Sequence, residues 1–220
     1  TQGVSSAASD VYKRQDCDRL IRNDRVIWGS CMVACGDADA MVTGNTRRYG
    51  QSLQKIIKVV DPRPGEIMFG LNMVVNKGRT VFIGDTSVHE YPTSKQLAEI
   101  AISSARVVRL FGFTPKIAFL SHSTFGQPMT SRTKHIRDAV EILKKMKVDF
   151  KFDGDMQPDV ALNDEYKELY PLSDIVGNAN VLIMPGQHSA AISYKIMKSM
   201  SSAKVIGPVL IGLGLSLIHI

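Results

Sequence analysis

A chain of 220 residues with 44% hydrophobic content is long enough for one large or two small domains and apolar enough to build a core. No run approaches the roughly 18 apolar residues of a membrane span and no signal peptide is visible, so neither a membrane partner nor secretion is expected, and three cysteines then suit a reduced cytoplasm. The net charge of +6 is spread without a dense basic block or interleaved aromatics, which argues against nucleic acid and suits, at most, a polyanionic small ligand.

The two ends share a feature that bears on how much of the chain to read. The hexapeptide Asp10-Val11-Tyr12-Lys13-Arg14-Gln15 can be back-translated to a DNA segment whose reverse complement encodes Leu215-Ser216-Leu217-Ile218-His219-Ile220. One inverted segment, similar to a transposon end used in sequencing libraries, explains both. Residues 1–15 and 215–220 are therefore expected to be foreign and are left out of fold reasoning. What remains is expected to be an interior fragment of a longer protein.

In chain order, residues 19–35 predict one helix, 40–43 a short strand, and Gly44-Asn45-Thr46 a turn into a second helix carrying Tyr49, Leu53, Ile56, Ile57 and Val60 at the 3.6 period. Asp61-Pro62-Arg63-Pro64-Gly65 stops it. Residues 67–75 and 79–84 predict two strands joined by Asn76-Lys77-Gly78, a hairpin signal. Beyond Asp85 strands alternate with helices. Thr93 and Gln96 form a capping box, Leu97, Ile100, Ala101, Ser104, Val108 and Phe111 share a helix face, and Gly112 sits where the helix should end. Strands follow at 117–120, 148–152, 181–184 and 205–210, with helices around Ile136–Leu143, near 163–170 and over 189–200. This alternation predicts βαβ units and an α/β fold with mainly parallel sheets flanked by helices. The domain division expected is 16–85 and 86–214.

Three strand-end loops hold most of the candidate chemistry. Leu120-Ser121-His122-Ser123-Thr124-Phe125-Gly126 offers hydroxyls and backbone N–H groups that suit a phosphate or carbonyl oxygen; local Ser/Thr turn bonds explain it equally. Phe152-Asp153-Gly154-Asp155-Met156-Gln157-Pro158-Asp159 clusters carboxyl groups, but lacks metal-ligand spacing, so one aspartate ordering the loop and another capping a helix is the favoured reading. The third loop runs from Asn178 to Pro185 and includes Met184. Arg47 and Arg48, at the start of a helix, have the fork geometry for phosphate, although two solvated arginines are commoner. Cys31 and Cys35, one helical turn apart, read as buried structural thiols. His89 and His135 show no partner that would make a catalytic triad, and His188 with Ser189 reads as a helix N-terminus. No nucleotide-binding glycine motif is present. Neither a catalytic nor a metal site is expected.

These loops, together with Ile206-Gly207-Pro208-Val209-Leu210-Ile211-Gly212-Leu213, resemble the phosphotransacetylase family over residues 19–213. In detail they are most similar to the phosphotransacetylase-like domain at the C-terminus of large bacterial NADP-dependent malic enzymes. Gly44-Asn45-Thr46-Arg47-Arg48-Tyr49 matches that group's Gly-x-Thr-Arg-x-Tyr. Phe125 stands where active transferases usually carry a basic residue before the glycine, and Met156 also matches the malic enzyme type.

The resemblance implies two α/β lobes around a cleft that holds acetyl-CoA or coenzyme A. Carried over residue by residue, it places Thr46, Arg47, Arg48, Ser121, Ser123, Thr124, Gly126, Asp153, Met184 and Pro185 on that ligand. It implies a regulatory and oligomerising role for the domain, a homo-oligomeric assembly, and NADP and divalent metal bound only by an upstream part. The family's transferase residues lie past Leu213, so no catalytic residue is carried over. The alternative implied function is an active phosphate acetyltransferase.

Overall fold

The computed structural model describes residues 14–44, 46–173, 175–214 and 217–219. It divides into two compact units, Thr1–Pro62 with Leu213–Ile220, and Arg63–Gly212. Of the ends expected to be foreign, residues 1–13, 215–216 and 220 lie outside the described residues.

In the first unit, residues 14–23 form helix α1 and Arg25–Cys35 form α2. The single helix expected over 19–35 is thus two. The break falls at Asp24, which is extended (φ −129°, ψ 111°) and whose side chain accepts from the backbone N–H groups of Val26 and Ile27. A carboxyl group that satisfies the open donors of a helix start begins a new helix there. α2 stops where Gly36 adopts φ +82° and caps the last carbonyls. Strand β1 (Met41–Thr43) and helix α3 (Tyr49–Ile56) follow. Val26, Ile27 and Val33 from α2, Met41 from β1 and Ile56 from α3 are buried.

In the second unit, β2 (Phe69–Asn76) and β3 (Arg79–Gly84) form the expected antiparallel hairpin, Asn76 opposite Arg79. Lys77 and Gly78 both take positive φ (47° and 78°), the turn whose twist matches that of its strands. Then come α4 (Ser94–Leu110), β4 (Lys116–Leu120), α5 (Ser131–Met146), β5 (Lys151–Met156), the short α6 (Pro158–Leu162), a single 3₁₀ turn (Asp164–Lys167), β6 (Val181–Ile183), α7 (Gln187–Met200) and β7 (Lys204–Ile211). The sheet order is β7-β2-β3-β6-β4-β5. β3, β6, β4 and β5 run parallel, while β2 is antiparallel to both its neighbours. The capping box of Thr93 and Gln96 opens α4, and Gly112 takes φ +81° just past its end. In the first unit β8 (Leu217–His219) pairs in parallel with β1, Met41 opposite Leu217.

The division differs from the expected 85/86 boundary. The hairpin assigned from sequence to the first domain belongs to the second unit because the last three residues of β3 are bonded to β6, Phe82 opposite Val181 and Gly84 opposite Ile183. That pairing joins residues about a hundred positions apart and leaves no local trace.

Both sheet faces are covered. Phe82, Ile117, Phe119, Val181 and Ile183 pack with α4 and α5, including Leu97, Ile100, Ala139 and Leu143. The alternate residues Val81, Ile83, Ala118, Leu120 and Leu182 face Val160 and Ala161 of α6 and Ala190 of α7. Period-two alternation between two apolar layers explains the near-continuous hydrophobic runs of these strands.

Two elements are displaced from their expected positions. β5 runs to Met156 and so absorbs Asp153, Gly154 and Asp155, expected as loop; its register is set by β4, with Ile117 opposite Phe152. The helix expected near 163–170 is only the 3₁₀ turn Asp164–Lys167, separated from α6 by Asn163, which is extended and whose side chain caps the turn by accepting from Glu165 N–H. No helix among the described residues is long and apolar enough to cross a membrane.

Candidate functional site

In the second unit, β4 and β6 are neighbours whose chains leave toward opposite faces: β4 leads to α5 on one side, β6 to α7 on the other. Such a switch point, at the carboxyl ends of parallel strands, leaves a crevice where open α/β sheets bind ligands. The loops after β3, β4, β5 and β6 all emerge at this edge.

The loop after β4 is organised by Asp155, which is fully buried. Ser123 Oγ donates to Asp155 Oδ2 in a very close hydrogen bond, and Gly126 N donates to Asp155 Oδ1 at 3.0 Å. Ser121 Oγ and Ser123 Oγ are 3.0 Å apart. Since Ser123 spends its only hydroxyl hydrogen on Asp155, Ser121 is the donor of that pair. Arg137 Nε, from α5, lies 3.9 Å from Asp155 Oδ1.

Most backbone N–H groups of the loop are already committed. Ser121 N bonds to Met156 O, Ser123 N to Ser121 Oγ, Thr124 N to Gln127 O and Phe125 N to Asp155 O. Thr124 Oγ1 in turn accepts from Gln157 N at 3.3 Å. The loop is thus a largely self-satisfied scaffold, closer to the local-turn reading of its sequence than to a ready phosphate cradle. Phe125, at φ +48°, packs its ring on Tyr170 with centroids 5.4 Å apart.

Of the candidate residues in this unit, Ser121, Ser123, Thr124 and Gly126 are brought together. Asp153 stands apart from them: it is half-buried and its Oδ1 accepts from the N–H of Gly154. Met184 is a core residue packed with Leu120 and Ala190. Pro185 lines a cavity of about 500 Å³ with Tyr91, Pro92, His135, Gly186 and His188. His135 is fixed at its edge, with Nε2 2.6 Å from Pro92 O and Nδ1 2.9 Å from Ser94 Oγ. His188 pairs with Glu90 at 3.2 Å and stacks on Tyr91.

Sequence reasoning found no partner for His89, but the structure supplies one. Asp85, buried just past β3, accepts from the N–H groups of Gly70, Ser87, Val88 and His89, and its Oδ2 lies 2.8 Å from His89 Nδ1. An aspartate at a strand end followed four residues later by histidine was the available signal. The sequence reading expected one aspartate of the 153–159 stretch to order the loop; Asp155 is that one. Arg137 was missed, because its place beside Asp155 depends on a helix packed from elsewhere.

In the first unit, Thr46 and Arg48 are exposed, and Arg48 precedes α3 without capping it. Arg47 lines a cavity of about 680 Å³ with Arg25, Thr43, Gly44 and Thr46. Its Nη1 lies 3.3 Å from Asp24 Oδ2, which also receives a very close contact from Lys55 Nζ. Burial raises the Asp24 pKa, but the Lys55 hydrogen bond, the Val26 and Ile27 N–H groups and the Lys55 charge outweigh it and hold the carboxyl at about 2. Cys31 is half-buried and Cys35 exposed, so the pair expected to be buried is not. Burial, with smaller contributions from Cys35 and Cys17, pushes the Cys31 thiol up. No three His, Cys, Asp or Glu side chains converge as a metal site among the described residues.

Comparison with known proteins bears on both units. The family model described as phosphate acetyl/butaryl transferase matches residues 2–219. An NADP-dependent malic enzyme of Rhizobium meliloti is 46% identical over 202 residues, 92% of this chain and 26% of that protein. A phosphate acetyltransferase of Nitratidesulfovibrio vulgaris is 33% identical over 197 residues, 89% of this chain and 28% of that protein. The crystal structure of a phosphotransacetylase from Streptococcus pyogenes superposes with a TM-score of 0.84 at 30% identity, covering 93% of this chain and 63% of that one. The chain therefore spans about a quarter of the length of these curated relatives.

Proposed function

Because this chain belongs to the phosphate acetyl/butaryl transferase family, we propose that it is the phosphotransacetylase-like part of a cytoplasmic NADP-dependent malic enzyme and that it binds acetyl-CoA as a regulatory ligand. The observation that carries this reading is the higher identity to a malic enzyme, 46%, than to a phosphate acetyltransferase, 33%, over nearly the same stretch of chain. The site supports it. Where active transferases carry a basic residue before the glycine, Phe125 is packed on Tyr170.

Malate oxidation and decarboxylation, with their NADP and divalent metal, would belong to other parts of the longer protein. Acetyl-CoA would act on them only through unequal affinity for two states of the whole enzyme. The cationic cavity of Arg25 and Arg47 suits the ligand's phosphates. Assembly into a homo-oligomer is the second role of the domain in this reading. The alternative, an active phosphate acetyltransferase moving acetyl from acetyl-CoA to phosphate, is favoured by the likeness to the Streptococcus phosphotransacetylase.

Isothermal calorimetry of the 220-residue chain with acetyl-CoA tests the reading, run beside an assay for acetyl phosphate formation. Saturable heat without turnover is expected. Absence of heat at millimolar acetyl-CoA sinks the ligand assignment, and acetyl phosphate formation replaces it with the transferase.

A further inference from the structure

Two cationic side chains meet at one carboxyl group in the first unit. Asp24 Oδ2 receives Lys55 Nζ in a very close contact and Arg47 Nη1 at 3.3 Å, while Asp24 Oδ1 takes Val26 N at 2.9 Å and Arg47 Nη1 at 3.4 Å. Charge-assisted N–H···O bonds normally span about 2.7–2.9 Å. Both Arg47 contacts are longer than that, so Arg47 is held loosely through Nη1. Asp24 is half-buried, with 16% of its side chain exposed, so these partners answer much of its charge. Two cations share one carboxylate, which leaves one positive charge in excess. Arg47 lines the 680 Å³ cavity with Arg25 and Thr46; Lys55 is not among its lining residues.

We infer that Lys55 is a positioning residue for anion binding: by engaging Asp24 it limits Arg47 to its Nη1 contact and leaves the other guanidinium nitrogens to pair with a phosphate group entering the cavity. The inference rests on the acetyl-CoA reading for the identity of the physiological anion, though the ionic geometry does not depend on that identity. Without Lys55, the only cation left to Asp24 in this cluster is Arg47. The planar guanidinium then closes on the carboxylate through two nitrogens and is neutralised. The cavity loses a cation although no residue lining it has changed. Removing the charge of Asp24 as well releases Arg47 again.

The test is calorimetry of the full 220-residue chain with two probes, acetyl-CoA and inorganic pyrophosphate, on the wild type, Lys55→Met, Asp24→Asn and the double variant. Lys55→Met is expected to weaken binding of both probes about tenfold, the value of one charge-assisted hydrogen bond. The double variant is expected to return to within about threefold of wild type, a rescue that a purely structural role of Lys55 would not produce. Asp24→Asn is expected to bind at least as tightly as wild type, because asparagine keeps the cap acceptor for α2 while dropping the charge. Unchanged affinity in Lys55→Met, a double variant as weak as Lys55→Met, or a tenfold loss in Asp24→Asn each overturns the inference. Should Lys55→Met fail to fold, Lys55→Gln takes its place, alone and with Asp24→Asn, with the same loss and the same rescue expected.

If pyrophosphate shows the pattern and acetyl-CoA does not bind, the acetyl-CoA reading fails and the inference stands. If acetyl-CoA binds without the pattern, the inference fails and the reading stands. If neither probe binds the wild-type chain, both fall.

Discussion

Ser123, just past β4, gives its hydroxyl hydrogen to the buried carboxyl of Asp155 at the end of β5, and Gly126 N–H meets the other oxygen of the same group. One carboxyl thus pins a loop whose partner lies 32 positions away. Replacing Asp155 by alanine would strand a buried hydroxyl and a buried N–H and remove the countercharge near Arg137. Urea denaturation is expected to show a loss of about 3–5 kcal/mol. Asp155→Asn, which keeps one acceptor, should lose clearly less; equal losses would mean that the carboxyl's bonds are not what holds the loop.

Gly154 lies between the two aspartates at φ +147°, and a Cβ there would sit 2.6 Å from Phe119 O on the neighbouring strand. The obstacle is backbone of a strand paired on both sides and cannot swing away. Gly154→Ala is expected to destabilise the chain by at least about 2 kcal/mol, more than the positive φ alone would cost, as a drop in melting temperature. A melting temperature within a degree or so of wild type would count against this close approach.

Asp24 gives a pH dependence with a defined sign. Its pKa falls from the ordinary 3.8 to about 2 on folding, so the folded state binds its proton less readily than the unfolded one. The resulting stability is present above the unfolded value and is lost as pH falls through the folded one. The stability gap between wild type and Asp24→Asn, followed by denaturant unfolding, should narrow by about 2 kcal/mol from pH 5 to pH 2. A gap that is flat or widens across this window would show the carboxylate is not held by its neighbours.

Phe125 and Tyr170 face each other at 5.4 Å with rings tilted by 56°. A double-mutant cycle with alanine at both positions is expected to give a favourable coupling of about 1 kcal/mol. Phe125→Lys breaks the ring pair and is expected to lose stability without gaining acetyl phosphate turnover. Zero coupling would mean that the aromatic at 125 is merely tolerated there.

Much of the architecture was legible in the chain because it is written in local periods. Alternation over Val81–Ile83 and Ile117–Leu120, the reciprocal cap of Thr93 and Gln96, and the Lys77-Gly78 turn depend on neighbours a few residues apart, and they stand where the pattern put them. Membership of an α/β family was legible for the same reason: strand-end loops follow in a fixed order along the chain. Which carboxyl of the Asp153-Gly154-Asp155 stretch turns inward was not. That choice follows from the register of β5 against β4, a pairing that joins separate parts of the chain. The break at Asp24, the sharing of that residue by Lys55 and Arg47, and the joining of the hairpin to β6 were decided the same way. A short-range pattern specifies what an element is; which buried polar group meets which depends on distances that exist only once the elements have packed.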